Sequence, residues 1–146
     1  MQEFKTLTPE QIALLKKPLP SAAITKHPTK SYLSNIKAIY VVERLNDVFG
    51  IGNWNLTSEI IDNKSLGKKT SNGQFPHIVV RAYLKVPEYN FNLESYGGND
   101  NEDLGDAYKG AVTDALTKMG SMLSIGMDVF KGLQASGTVV KQPSFD

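Results

Sequence analysis

Residues 96–131 read YGGNDNEDLGDAYKGAVTDALTKMGSMLSIGMDVFK: a Gly-Gly pair, an acidic stretch, then apolar residues at a regular interval. Leu104, Ala107, Ala111, Val112, Ala115, Leu116, Met119 and Leu123 recur at the spacing that lines one side of an α-helix, which predicts a helix over residues 102–124. Asp100, Glu102 and Asp103 suit the positive start of that helix, and Tyr96–Gly98 reads as the turn that leads into it. The opposite side carries Asp106, Lys109, Gly110, Thr113, Asp114, Thr117, Lys118 and Ser121. Two lysines thus stand among small residues over which an extended polymer could pass closely. The same residues also fit an ordinary solvated face.

Upstream, the period changes from helical to alternating. Trp54, Leu56, Ser58 and Ile60 share one face of a strand over residues 54–61, with Asn55, Thr57 and Glu59 on the other. A polar connection, DNKSLGKKTSNGQ (62–74), contains Asn72-Gly73 and favours a hairpin return into HIVVRAYLKV (77–86). There Ile78, Val80, Ala82, Leu84 and Val86 alternate with His77, Val79, Arg81, Tyr83 and Lys85. A turn at Pro87–Asn90 leads to a shorter third strand, FNLESYGG (91–98). The order argues α+β: a three-stranded antiparallel meander packed on a long C-terminal helix, a β-β-β-α unit preceded by an N-terminal helix.

That N-terminal helix lies in SYLSNIKAIYVVERLNDVFG (31–50), where Ile36, Ile39, Tyr40, Val42, Leu45, Val48 and Phe49 keep helical spacing and Gly50 offers a left-handed stop. Before it, Thr8 can cap a short helix over residues 9–17 with Pro9 in its first turn, and the remainder up to residue 31 reads as irregular. Residues 132–146 lose periodicity and predict a flexible tail or a linker, leaving residues 32–131 as the core of a single domain. The absence of a signal-like start, of a bilayer-length apolar run and of cysteine fits a soluble, cytoplasmic protein in a bacterial or phage-infected cell.

The formal net charge is +1, yet its distribution is uneven: residues 1–85 hold 12 Lys/Arg against 6 Asp/Glu, and residues 86–146 hold 4 against 9. Such segregation permits a local basic surface, and equally head-to-tail attraction between copies. Enzyme signatures fail. Gly50-Ile51-Gly52 lacks the third glycine of a dinucleotide loop, DNEDLGD (100–106) misses a calcium loop's ligands at Leu104 and Ala111, and His27 and His77 have no close partner and fit no metal spacing. The acidic cluster Asp100, Glu102, Asp103 and Asp106 leaves a metal-dependent nuclease as the enzymatic alternative, although helix-start electrostatics accounts for the same charges. No cofactor is expected.

FGIGNWN (49–55), YGG (96–98) and DAYKGAVTDALTKMGSMLSIGMDVF (106–130), in that order, resemble the Rad-fifty-two type of single-strand annealing protein over roughly residues 32–131. The resemblance implies a homo-oligomeric ring or filament that holds single-stranded DNA in a basic groove and anneals strands without nucleotide or metal. It carries Lys118 over directly, with Lys109 as companion. Thr117 and Ser121 stand where relatives commonly have basic residues, and could donate hydrogen bonds to phosphate. Further groove candidates are Arg81 and Lys85 on the middle strand and Lys64, Lys68 and Lys69 in the connection. Lys26 and Lys30 lie where the family places another basic contact. For Lys64, Lys68 and Lys69 a solvated loop tip is the plain alternative, and for Arg81 an ion pair with Glu59 or Glu94. Trp54 reads as a core anchor rather than a base-stacking platform. A role in assembly, recruiting a single-strand-binding protein or recombinase through the tail, is a further reading.

Overall fold

The computed structural model describes residues 3–26, 34–70 and 73–132, with the backbone alone at residues 68–70. In chain order the elements are helix α1 (Pro9–Lys16), strands β1 (Ile24–Lys26) and β2 (Ser34–Ile36), helix α2 (Ala38–Phe49), strands β3 (Asn55–Asp62), β4 (Leu66–Thr70), β5 (Gly73–Val86) and β6 (Phe91–Asp100), helix α3 (Leu104–Met122) and helix α4 (Met127–Phe130). They divide into two compact units. One is Met1–Lys5 with Gly52–Met119, and the other is Thr6–Ile51 with Gly120–Asp146.

The first unit is the α+β body: an antiparallel β3-β5-β6 meander with α3 packed against it. Strict alternation in β5 puts Ile78, Val80, Ala82, Leu84 and Val86 on the inner face, each at most 1% exposed. Ala107, Ala111 and Ala115, one turn apart and wholly buried, form the seam by which α3 lies on the sheet. A Cβ on Gly97 would stand 2.0 Å from the Ala111 carbonyl oxygen and 2.6 Å from the Ala115 nitrogen. The Gly97-Gly98 pair is therefore no turn. It lies inside β6, opposite Val80 and Val79, and lets helix backbone rest on strand backbone. The helix starts later than expected, at Leu104, with Asp103 capping it by accepting the Asp106 N–H at 2.9 Å. Asp100 belongs to β6.

The polar connection also contains more structure than its composition suggests. Residues 66–70 form β4, which pairs with the first residues of β5 (Leu66↔Pro76, Thr70↔Gly73) and adds a fourth strand. Lys68 and Lys69 thus lie on a strand and not at a loop tip, while Lys64 remains in the link between β3 and β4. His77 does have a close partner, the Asp100 carboxylate across the β5–β6 ladder. Trp54 is only half-buried and precedes β3.

In the second unit, Thr8 and Gln11 form a reciprocal capping box on α1, with Pro9 in its first turn. Arg44 of α2, only 7% exposed, donates to the carbonyl oxygens of Leu14 at 2.8 Å and Lys17 at 2.6 Å and so closes the C-terminal end of α1. Burial lowers the pKa of Arg44, against the opposing pull of Asp47 and Glu43. Ile36 is not helical. It belongs to β2, which pairs with β1 through Ile24↔Ile36, and α2 begins at Ala38. Gly50 ends α2 with positive φ (95°) but an extended ψ (145°), outside the left-handed helical region. The expected tail and Lys30 lie outside the described residues.

Candidate functional site

Both faces of the first unit carry sequence-predicted binding residues, and the sheet separates them. Arg81, Tyr83 and Lys85 project from β5 on the face away from α3, because that face holds the odd-numbered half of the alternation. Arg81 is committed there. Its Nε donates to the Tyr96 hydroxyl at 3.1 Å, its guanidinium lies 5.1 Å from the Tyr96 ring centroid, and Glu59 and Glu94 approach it to 3.5 and 3.7 Å. Hydrogen bonding to Tyr96, then to Tyr83, raises its pKa. Tyr83 in turn donates to Glu59 at 2.9 Å. Two carboxylates around one guanidinium leave little net positive charge for a polyanion. Lys85, two residues along and opposite Asn55 and Asn92, is exposed and makes no ion pair among the described residues.

On α3, Lys118 and Lys109 are nine residues apart, which at 3.6 residues per turn is about half a turn of the cylinder. They do not form a pair on one face. Lys118 leans over β6, with Nζ 3.0 Å from Asp114 Oδ2 and 3.3 Å from the Tyr96 carbonyl oxygen. Asp114 accepts the Gly98 N–H at 3.0 Å. The Asp114–Lys118 pair therefore supplies one acceptor and one donor to the edge of β6 that no strand covers among the described residues. Lys109 is exposed and without an ion pair among the described residues. Thr117 donates its hydroxyl to the Asp114 carbonyl at 2.9 Å, within its own helix.

At the β3–β4 link, Asp62 accepts from the Lys64 N–H at 2.9 Å and from the Ser65 N–H and hydroxyl. The Ser65 hydroxyl, then the Lys64 amide, hold the Asp62 carboxyl below its ordinary pKa. Lys64 itself is exposed, and Lys68 and Lys69 follow it on β4. Lys26, exposed at the end of β1, and Ser121 belong to the second unit. The acidic cluster is dispersed: Asp100 turns to His77 and Asp103 caps α3. Among the described residues, no group of three or more His, Cys, Asp or Glu could hold a metal ion, and no helix is long and apolar enough to cross a membrane.

Sequence reading missed Asp114 and Tyr96 as the partners of the two most suggestive cations. The first had a readable signal, since Asp114 stands four residues before Lys118. The second pairs with Arg81 only through the β5–β6 register.

These elements define a β-β-β-α protein with lysines spread over sheet, link and helix. The family model for Rad52/22 family double-strand break repair proteins matches residues 9–123, and the chain belongs to that family. Membership places it in DNA repair. No curated protein matches the chain.

Proposed function

We propose that this protein binds single-stranded DNA and anneals complementary strands without nucleotide hydrolysis, acting as a homo-oligomeric ring or filament. The family match over residues 9–123 carries this reading. The distribution of free cations supports its mechanism. Lys64, Lys85 and Lys109 are exposed at separate places, so one copy offers scattered phosphate contacts and no sequence readout. Each contact releases condensed counterions, lowering log affinity by roughly 0.7 per tenfold salt. Repetition in an oligomer turns weak contacts into tight binding, because later contacts form at high effective concentration. Lys68 and Lys69, and by the family resemblance Lys26 and Lys30, remain candidates for further phosphate contacts, whereas Arg81 and Lys118 serve mainly to hold the sheet's outer face and edge. The absence of cysteine supports a reducing compartment, which we take to be the cytoplasm of a bacterial or phage-infected cell.

The test combines light scattering with anisotropy and strand-annealing measurements on labelled oligonucleotides of unrelated sequence. The expected particle is several times the 16.0 kDa chain, binds every oligonucleotide alike and loses affinity linearly in log salt. A monomer that ignores oligonucleotides in dilute buffer would overturn the proposal.

A further inference from the structure

Tyr108 joins two parts of the first unit that lie 45 residues apart. Its ring packs against Ile78, Val80, Ala107 and Ala111, where α3 meets the sheet, and its hydroxyl accepts the Asn63 Nδ2–H at 3.2 Å from the link between β3 and β4. Asp62 holds the same link from its other side, accepting from the Lys64 N–H, the Ser65 N–H and the Ser65 hydroxyl. Lys64 therefore leaves a turn that is tied down on both sides of it.

The contact has a second effect. Asn63 is followed in the chain by Lys64, and Tyr108 by Lys109, so two exposed lysines flank one phenol. Successive helical residues diverge by about 100°, which turns Lys109 away from the sheet while Tyr108 leans across it towards the link. Neither lysine makes an ion pair among the described residues: Asp62 is taken up by Ser65 and the Lys64 amide, and Asp106, three residues before Lys109, is not joined to it. A phenol has a proton to give as well as lone pairs to receive. At Tyr108 a lone pair is used, and the proton has no acceptor among the described residues. Receiving a hydrogen bond strengthens a hydroxyl as a donor.

We propose that Tyr108, Lys64 and Lys109 form one phosphate-binding site for a single-stranded nucleic acid. The Tyr108 hydroxyl donates to a phosphate oxygen, and the two ammonium groups meet that phosphate and its neighbours along the strand. The site rests on the strand-binding reading above and adds to it a neutral contact, whose place Asn63 fixes. The two kinds of contact differ in one measurable respect: a lysine releases condensed counterions and a phenol does not.

Anisotropy of labelled single-stranded oligonucleotides titrated with the full chain separates them. Tyr108→Phe keeps the ring and removes the proton, and should weaken binding about fivefold, the equivalent of about 1 kcal/mol, at every salt concentration alike. Lys64→Ala should instead lower the slope of log affinity against log salt by roughly 0.7. Asn63→Ala releases the link and leaves both contact residues in place, and in that background Tyr108→Phe should cost less than about twofold. Circular dichroism and urea denaturation check that each variant is folded. An unaltered chain that ignores oligonucleotides would overturn the strand-binding reading and this site with it. If the unaltered chain binds, the site alone is overturned by any of three results: full affinity in Tyr108→Phe, an unchanged slope in Lys64→Ala, or a Tyr108→Phe loss that is the same with and without Asn63.

Discussion

Lys118 Nζ touches both Asp114 Oδ2, at 3.0 Å, and the carbonyl oxygen of Tyr96, at 3.3 Å, so the lysine that the family motif singles out is half engaged in closing a strand edge. With both side chains more than a third exposed, the ion pair alone contributes at most about 1 kcal/mol. Asp114→Asn should therefore cost little stability while freeing Lys118 for phosphate. The expected outcome is tighter binding of single-stranded oligonucleotides at low salt, measured by anisotropy. Weaker binding would show that Asp114 positions Lys118 for DNA instead of withholding it.

Lys85 and Lys109 lie on different faces and share no partner, so their contributions should add. Each Lys→Ala change should weaken binding to any sequence and reduce the slope of log affinity against log salt by roughly 0.7. Arg81→Gln should leave that slope unchanged, because Glu59, Glu94 and Tyr96 already hold the guanidinium. An unchanged slope in both lysine variants would remove them from the interface.

Gly97→Ala should be severely destabilising. The added methyl would fall on helix backbone at 2.0 Å, which no rotamer change can relieve, so α3 must move off the sheet. Overpacking costs typically 1–3 kcal/mol, and a backbone obstruction belongs at about the upper end. Urea denaturation of the two proteins measures it.

Asp62 gives a pH-dependent link between β3 and β4. Its folded pKa is depressed, so its contribution is present above the unfolded carboxylate value of about 3.9 and is lost as pH falls through the lower folded value. Protection of the Lys64 and Ser65 amides, measured as exchange relative to the intrinsic rate at each pH, should fall on acidification through this range, and Asp62→Ala should remove it already at neutral pH. Exchange that stays slow in the variant would assign the turn's order to its backbone alone.

What could be read from the sequence followed from local period. β5 was legible because alternate residues meet one buried face, and α3 because its alanine seam and apolar neighbours repeat at helical spacing. The Gly-Gly pair misled because glycine marks both turns and close approach, and only the distant Ala111 and Ala115 decide between them. β4 was hidden by its lysines, since the ladder that supports it runs to the first residues of β5 and leaves no period in the sequence. Three-residue strands such as β1 and β2 carry no period at all. The candidate lysines were legible as charges, but whether each is free depended on partners brought by register, as with Arg81 and Tyr96.

Asp114 and Lys118 act as a stopper on one margin of the sheet, while β3 on the other margin pairs with β5 alone among the described residues. A strand added on the β6 side would have to displace those two side chains at Tyr96 and Gly98, so the β3 side is the easier one to extend, and two such sides meeting head-on would use each other up. Edge-to-edge joining would then stop at a twofold pair. A wreath or coil of many copies would then need stitching through other surfaces.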